Sequence, residues 1–449
     1  MRGPSLPRTD RGRLMFVAAL AAAVTVFTAT VPLLRDFFDL RVYYGTVHTW
    51  AGHGGRIYDY RVPGTPYGFT YPPFAALLML PLAAMGRHTA IAASLLVNLA
   101  ALAVVLRVLA GPGRRGHGWF HWSLTLCLLA LFEPLRDTVS FGQVNLVLLA
   151  LVLGDAWLLR TGRGRWAGAG IGLAAAVKLT PALFIALLLL ARRRRAAAVA
   201  SCVALAATGL AAWADPGGSR YYWTRALWQT SRVGRLDYVS NQSLQGVLAR
   251  LGEPDRALWA GAVLLVLCGW AWRARRAAAA GDWPAAFALT GAAACLVSPV
   301  TWVHHLVWLL PSLAVLVRAG YPRLAGALYA VLCSSVVWLW VRDASGIGGF
   351  LGGNAYTWVT LGLLLGLPTG QPRASRPFLA RKASATAAAP SPVKPTTAAV
   401  GDQSGSSSGA GAGVAAAGAA AAAAAPGRSA SSDPTGPTRP AAAKPQSSS

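Results

Sequence analysis

The chain is poor in charged residues, and especially in acids. Only 12% of its 449 residues are charged, and 15 acidic residues stand against 41 Lys and Arg. Hydrophobic residues make up 55% of the sequence, and the mean hydropathy is +0.47. These apolar runs exceed what one core can bury, which excludes a soluble globular protein. The composition predicts an all-α integral membrane protein.

Cysteine is scarce, and the familiar catalytic and metal-binding motifs are missing. There is no P-loop and no HExxH. Asp36 and Asp39 are spaced DxxD, and the adjacent His304 and His305 would point about 100° apart on a helix. We therefore expect no cofactor and no metal site, although this pattern leaves a divalent metal open. We expect packed core thiols, because no CxxC occurs and all five cysteines fall in apolar segments: Cys127, Cys202, Cys268, Cys295 and Cys333.

The excess of positive charge, +26, is distributed in short clusters between apolar segments. The strongest clusters are Arg114-Arg115, 192–195 and 273–276. This distribution argues against nucleic-acid binding and is typical of the positive-inside rule. It predicts a multi-pass protein of the plasma membrane with both termini in the cytoplasm.

The apolar segments predict about twelve membrane spans. The stretch 74–85 is short and contains Pro81, so we expect a re-entrant or interfacial helix there. The predicted spans are 14–34, 89–106, 119–132, 143–159, 166–177, 181–191, 196–213, 257–272, 284–302, 304–318, 324–341 and 356–368.

These spans divide the chain into three predicted parts. Residues 1–13 form a cytoplasmic N-terminus, and 14–368 form a transmembrane catalytic domain with outer loops at 35–88 and 214–256. The Ala/Ser/Pro/Gly-rich segment 369–449 has nothing to pack against, so we expect a disordered cytoplasmic tail.

Polar residues cluster at the outer ends of these spans. Arginines alone set the orientation, yet every cluster falls on the side of Asp39, which predicts one active site on the outer face. Lys178 lies between two short spans, where a buried lysine is costly, so we expect it at the floor of an outer cavity. The clusters are Asp39-Leu40-Arg41-Val42-Tyr43-Tyr44, Phe69-Thr70-Tyr71-Pro72-Pro73-Phe74, Glu133-Pro134 through Gly142-Gln143-Val144-Asn145, Lys178-Leu179-Thr180-Pro181, Ser240 to Gly246 and Ser298 to His305.

Each cluster also fits a purely structural interpretation. Asp39 would cap a helix or be neutralised by Arg41, and Lys178 would extend to the interface. Gln143 and Asn145 would form interhelical hydrogen bonds, and His304 and His305 would be one core and one interface histidine. The segment 241–246 would be an ordinary helix N-terminus, and 71–73 would be a rigid turn.

Read in order, these clusters resemble a known family. They are Asp-Leu-x-Val-Tyr, Phe-Thr-Tyr-Pro-Pro-Phe, Gly-Gln-x-Asn, Lys-Leu-Thr-Pro, Asn-Gln-Ser-Leu-x-Gly and Ser-Pro-x-Thr-Trp-x-His-His. This set resembles glycosyltransferase family 87, the actinobacterial membrane mannosyltransferases of the GT-C fold. The resemblance covers about residues 10–368 and leaves out the tail.

The resemblance implies a polyprenyl-phosphate mannose donor, a mannosylated glycolipid or lipoglycan acceptor within the membrane, and an α-1,2 bond. It implies a GT-C-like multi-helix bundle with Asp39 as the catalytic base, facing the extracytoplasmic side. A β-linked donor and a single displacement would give inversion.

The chemistry of such a transfer suggests roles for the other candidates. Lys178, His304 and His305 would bind the departing phosphate. The expected sugar-binding and acceptor-binding residues are Tyr43, Tyr71, Gln143, Asn145, Asn241, Gln242, Ser243 and Trp302.

Two further functions stay open at this point. One is a transporter or flippase of a polyprenyl-linked sugar, since broken helices and buried charge also occur there. Against it, the two halves of the chain show no repeat, and polar clusters are absent from the inner helix ends. The second is a GT-C enzyme that uses a different lipid-linked sugar, such as an arabinosyl- or glucosyltransferase.

Overall fold

The computed structural model describes residues 7, 9–30, 36–52, 54–111, 118–252 and 255–370. Within these ranges all regular secondary structure is helical, apart from one isolated antiparallel bridge between Arg61 and Gly68. The all-α prediction is confirmed for this part of the chain. The sequence predicts a disordered tail over 369–449. From residue 371 onward this tail lies outside the described ranges.

The α-helices are numbered in chain order. They are α1 Asp10–Thr30, α2 Phe38–Gly52, α3 Pro73–Met79, α4 Arg87–Ala110, α5 Trp119–Leu131, α6 Glu133–Phe141, α7 Asn145–Thr161, α8 Ala169–Val177, α9 Leu183–Leu190, α10 Arg194–Ala214, α11 Pro216–Thr224, α12 Leu244–Leu251, α13 Arg256–Ala279, α14 Trp283–Val297, α15 Leu310–Arg318, α16 Pro322–Cys333, α17 Gly346–Gly352 and α18 Ala355–Gly366. Short 3₁₀ helices cover Leu80–Ala84, Thr180–Ala182, Ala226–Trp228, Thr230–Arg232, Val303–Leu309 and Val336–Trp340.

Four of these helices, α1, α4, α10 and α13, are long and apolar enough to cross a membrane. The count rises to five if α6 and α7, which meet at a 117° bend, form one broken span. Most of the other predicted spans correspond to apolar helices of 10–17 residues, which length alone does not establish as spans. The structure therefore supports a multi-helix membrane protein but not the specific count of twelve.

Several predicted spans are interrupted where the sequence pattern suggested continuity. The predicted span 324–341 breaks after Cys333, because Ser335 adopts a left-handed conformation (φ 55°) and a 3₁₀ helix follows. The span 284–302 ends at Val297, two residues before Pro299, which disfavours helix at the residue before it. Each interruption lies next to a segment that contributes to the cavity described below.

Helix α14 occupies the centre of the bundle. Every residue from Ala285 to Leu296 is buried, and the helix packs against α7, α13, α15 and α18. Half of these residues are alanine, and small side chains allow close helix–helix contact.

Helix α8 packs tightly between its neighbours, which determines the position of Lys178. A Cβ atom at Gly172 would lie 2.3 Å from the carbonyl oxygen of Ala200 on α10, so only glycine fits there. On the α7 side, Asp155 accepts a 2.7 Å hydrogen bond from the amide of Ile171. The helix ends at Val177, and Lys178 is extended, as expected for a residue between two shortened helices.

The segment 36–85 forms a small helical unit. Helix α2 packs on α3 and on the 3₁₀ helix that follows it. Together these two pieces form one short apolar helix, Pro73–Ala84, which matches the short helix predicted over 74–85. The segment between α2 and α3 carries Tyr58, Tyr60 and Tyr71, and the ring of Tyr60 lies directly over Gly45 of α2.

Candidate active site

A cavity of about 620 Å³ lies among the polar clusters of the sequence. Each of the six clusters contributes at least one lining residue. Eight of the twelve predicted site residues line the cavity: Asp39, Tyr43, Tyr71, Gln143, Lys178, Trp302, His304 and His305. The other four, Asn145, Asn241, Gln242 and Ser243, do not line it.

Asp39 lies in the first turn of α2, outside the predicted membrane spans. Its Oδ2 accepts a 2.7 Å hydrogen bond from Nε2 of Gln143. Arg41 does not neutralise it, because the Arg41 guanidinium pairs with Asp36 at 2.7 Å. Burial raises the pKa of Asp39 to about 6, against the opposing effects of the Gln143 hydrogen bond and the Lys178 charge. A carboxylate with this pKa is suited to general-base chemistry near neutral pH.

Gly142 allows Gln143 to reach Asp39. Gly142 ends α6 in a left-handed conformation (φ 69°), and a Cβ atom there would lie 2.6 Å from Cβ of Leu40. The α6–α7 turn and α2 therefore approach each other closely only with glycine at this position. The sequence motif Gly-Gln-x-Asn thus has a steric reason for its first residue.

Two tyrosines orient the Gln143 amide. The Tyr71 hydroxyl donates to Oε1 of Gln143 at 2.8 Å, and the Tyr43 hydroxyl donates to the Tyr71 oxygen at 3.1 Å. With its oxygen occupied by Tyr71, Gln143 presents its NH₂ group to Asp39. The chain of hydrogen bonds holds the carboxylate in one orientation.

Lys178 reaches the same network from the opposite side. Its Nζ lies 3.0 Å from Oδ1 of Asn145, 2.8 Å from Nε2 of His305 and 3.4 Å from the Tyr71 hydroxyl. Among the described residues, no carboxylate lies within 4.0 Å of this ammonium group. Asn145 therefore supports Lys178 from behind the cavity wall, and the positive charge remains available to an anion.

The segment 298–305 carries the two histidines. The amide of Trp302 donates to Nδ1 of His305 at 3.1 Å, which directs Nε2 toward Lys178. The two imidazole rings lie 4.6 Å apart at 82°. The described residues contain no group of three or more His, Cys, Asp or Glu side chains placed to hold a metal ion.

Asn241, Gln242 and Ser243 hold this segment in place instead of lining the cavity. Asn241 Oδ1 accepts from the amide of Thr301 at 2.9 Å, and Ser243 caps α12 through a 3.0 Å bond from the Gly246 amide. Gln242 donates to the carbonyl of Gly353 at 2.8 Å and accepts from the Thr357 amide at 3.0 Å. Since all three are fully buried, this geometry fits the helix N-terminus interpretation and lends no support to direct sugar contact.

The cavity has one wall that the sequence did not indicate. Tyr238 and Trp338 line it beside Trp302, with Tyr238 at 6.2 Å from Trp302 and 6.0 Å from Trp338 between ring centroids. Trp338 also donates to the buried carboxylate of Glu133 at 2.5 Å. The sequence pattern places Trp338 within the predicted span 324–341. The break of that helix after Cys333 brings Trp338 to the cavity.

The site thus combines a half-buried carboxylate, a half-buried ammonium group with no carboxylate within 4.0 Å in the described part of the chain, and aromatic walls. The chain that carries it has membrane-length helices. These groups are what an enzyme needs to deprotonate a hydroxyl and stabilise an anionic leaving group. The fold and the site define a membrane group-transfer enzyme.

Comparison with known proteins identifies the family. The model of Glycosyltransferase family 87 matches residues 69–299. The chain belongs to this family, as its motifs predict, and it is a hexosyltransferase. No solved structure matches the chain.

Three mycobacterial relatives are similar over most of their length. A polyprenol-phosphate-mannose-dependent alpha-(1-2)-phosphatidylinositol mannoside mannosyltransferase of Mycobacterium tuberculosis is 33% identical over 322 residues, covering 67% of this chain and 74% of the relative. The protein of the same description from Mycolicibacterium smegmatis is 32% identical over 398 residues, covering 80% of this chain and 89% of the relative. A corresponding pentamannoside mannosyltransferase of Mycobacterium tuberculosis is 32% identical over 320 residues, covering 68% and 72%.

Gln242→Ala tests the supporting role of the 241–243 segment. We expect a loss of roughly 1–3 kcal/mol in stability, because the buried Thr357 amide and Gly353 carbonyl lose their partner. Thermal unfolding of the purified protein in detergent measures this loss. Gln245→Ala is the matched control, since the Oε1 of Gln245 has no hydrogen-bond partner among the described residues. Unchanged unfolding of Gln242→Ala with a raised acceptor KM would instead favour direct sugar binding.

Proposed function

We propose that the protein transfers mannose from polyprenol-phosphate mannose to a phosphatidylinositol mannoside and forms an α-1,2 linkage. The descriptions of the three mycobacterial relatives support this donor and this class of acceptor. The observation that carries the mechanism is the placement of Asp39 and Lys178 around one cavity, joined through Gln143 and Tyr71.

Asp39 acts as the general base. Among the described residues only its Oδ2 accepts a hydrogen bond, which leaves Oδ1 for the hydroxyl of the acceptor. As that hydroxyl oxygen attacks the anomeric carbon, its proton passes to Asp39. The bond from carbon to the phosphate oxygen breaks, and its electron pair leaves with polyprenyl phosphate. A single displacement converts a β-linked donor into an α-linked product.

Lys178 and the adjacent histidines bind the departing phosphate. The phosphate gains one negative charge when the glycosidic bond breaks, and a buried ammonium group stabilises that charge more in the transition state than in the ground state. His305 shares this position because its Nε2 lies 2.8 Å from Lys178. His304 lines the cavity beside it.

The aromatic and amide groups of the cavity bind the sugars. Trp302 offers an indole surface on which a pyranose ring stacks, and Tyr238 and Trp338 extend this surface. Tyr43 and Gln143 lie beside Asp39 and can exchange hydrogen bonds with sugar hydroxyls. We assign Asn145, Asn241, Gln242 and Ser243 to the support of these groups.

We place the cavity on the extracytoplasmic face of the plasma membrane, with both termini in the cytoplasm. The support is the positive-inside rule, under which the predicted topology puts the strong arginine clusters on the side opposite to the cavity residues. A donor and an acceptor that are both lipids would then enter from the outer leaflet. No nucleic acid takes part.

A transporter of a lipid-linked sugar is not favoured. Transport requires no general base, whereas this cavity contains a buried carboxylate held by an oriented amide. The family and the relatives also favour an enzyme.

Asp39→Asn keeps the size of the side chain and removes its basicity. We expect mannose transfer to fall by about 10²–10⁴-fold, the usual contribution of a general base, with donor binding retained. Membranes containing the variant are assayed with radiolabelled polyprenyl-phosphate mannose. Asp36→Asn is the matched control, because Asp36 is exposed and paired with Arg41 outside the cavity. Near-normal turnover by Asp39→Asn would refute its role as the base.

The same assay gives a pH dependence. Asp39 accepts a proton only when ionised, so kcat/KM of the wild type should fall about tenfold per pH unit below its pKa of about 6 and level off above it. A flat profile between pH 5 and pH 7 would contradict the assignment.

Lys178→Met tests the phosphate site. We expect a raised donor KM together with a decrease in kcat of roughly 10²-fold, because the leaving group loses its counter-charge. Lys178→Arg should show nearly the same loss of kcat and donor affinity. A planar guanidinium does not replace a compact ammonium among Asn145, His305 and Tyr71. Unchanged donor kinetics in a folded Lys178→Met protein would remove Lys178 from the site.

Cysteine labelling tests the orientation. In a background without the five native cysteines, Gly217→Cys is exposed at the start of α11 and should react with an impermeant thiol reagent in intact cells. Ser406→Cys in the tail should react only after the cells are permeabilised. The reverse pattern would place the cavity in the cytoplasm.

A further inference from the structure

Two arginines outside the proposed catalytic network converge on a single oxygen atom. Arg61 Nη1 donates to the carbonyl of Tyr58 at 2.9 Å, and Arg232 Nη2 donates to the same carbonyl at 3.4 Å. Arg232 also donates to the Tyr221 hydroxyl at 3.2 Å and lies over its ring. The two guanidinium groups are therefore held side by side, and Arg232 lines the cavity.

This pair of positive charges has no acidic partner. Among the described residues, no carboxylate lies within 4.0 Å of either guanidinium, and Asp59 instead accepts from the Arg56 amide. Partial burial, and next the charge of Arg232, lower the pKa of Arg61. The buried Nε of Arg232 has no hydrogen-bond partner among the residues that the structure describes. Two adjacent cations with an unused donor are costly unless an anion joins them.

A phosphodiester is the anion that this arrangement suits. Guanidinium groups match phosphate through paired N–H···O hydrogen bonds, and two converging groups present several donors to one phosphate. The neighbouring rings of Tyr58, Tyr221 and Tyr222 form an apolar surround, with Tyr58 and Tyr222 stacked at 5.9 Å. A site of this kind binds a charged headgroup that carries sugars or lipid chains.

The hydrogen bonds between Asp39 and the arginine pair indicate which phosphate the arginines bind. The Tyr58 hydroxyl donates to the carbonyl of Tyr71, and the Tyr71 hydroxyl leads through Gln143 to Asp39. Two tyrosine side chains in series thus separate the arginine pair from the base. The donor phosphate is bonded to the reacting carbon, so it must lie near Asp39, where Lys178 is available. Lys178 contacts the Tyr71–Gln143 network that holds Asp39, and neither arginine does, so we leave the arginine pair for a different phosphate.

We propose that Arg61 and Arg232 bind the phosphodiester of the glycolipid acceptor, and so set the distance from that phosphate to the hydroxyl that receives the sugar. This inference rests on the proposed function. The space between Lys178 and the arginine pair then holds the inositol and mannose rings of the acceptor, within the same cavity. The arginine pair favours acceptors in which the correct number of rings separates phosphate from the reacting hydroxyl.

The test compares two acceptors that differ in the phosphate. Wild type and Arg232→Gln are assayed with a phosphatidylinositol mannoside and with an uncharged alkyl mannoside, both with the same donor. We expect the ratio of kcat/KM for the phosphorylated acceptor to that for the alkyl mannoside to fall on the order of tenfold, and further in Arg61→Gln/Arg232→Gln. Arg225→Gln is the matched control, since Arg225 is exposed in the same loop and does not line the cavity.

Three results would overturn the proposal. A rise in donor KM with both acceptors would assign the bound phosphate to the donor. An equal loss of kcat/KM with both acceptors would indicate that the arginines only support the loop. An unchanged ratio in the double variant would show that no acceptor phosphate binds there.

A binding measurement separates this inference from the proposed function. Native mass spectrometry of the detergent-purified protein with added phosphatidylinositol should show bound lipid in the wild type and at least severalfold less in the double variant. Equal retention by both proteins would refute the arginine site. Retention that depends on the arginines, in a wild type that transfers mannose to neither acceptor, would refute the proposed function alone.

Discussion

The contacts of the Lys178 ammonium group join the parts of the site that are most distant in sequence. Its nitrogen touches Tyr71 from the segment before α3, Asn145 from the start of α7 and His305 from the segment after α14. A charge withdrawn this far from solvent is unfavourable unless polar atoms surround it. The requirement to satisfy one ammonium group therefore constrains three separate chain segments to meet, and the cavity forms where they do.

The tight packing of small residues makes this meeting possible. Helix α8 delivers Lys178 only because Gly172 lies directly against the backbone of α10, and Gln143 reaches Asp39 only because Gly142 lies against Leu40. In both places an added Cβ atom would lie within 2.6 Å of an atom of the neighbouring helix, which is closer than packed atoms approach. The polar site is thus built on steric features of the apolar bundle, and the two cannot be varied independently.

Much of the site was predictable from sequence, because polar residues in an apolar chain are conspicuous. Asp39, Gln143 and Lys178 were identified in this way, and the short helices around Lys178 followed from their length. Trp338 was missed because it lies in an apolar run that hydropathy treats as continuous helix, whereas the left-handed Ser335 interrupts it. Gln242 was assigned to sugar binding because sequence does not distinguish a buried amide that holds backbone from one that faces a ligand. Arg232 was missed because arginines in an outer loop usually face water.

The bonds of Gln242 have a consequence for biosynthesis. Its side chain bonds to Gly353 and Thr357 at the start of α18, the last described helix, and its backbone amide donates to the carbonyl of Thr301 in the segment that carries the two histidines. Contacts of such large sequence separation carry a loop-closure cost, and they cannot form before α18 has been synthesised. A nascent protein lacking α18 would already contain Asp39, Lys178 and both histidines, yet Gln242 would lack two of the partners that fix it beside the histidine segment. The supporting contacts of that segment are therefore complete only once the last described helix has been made.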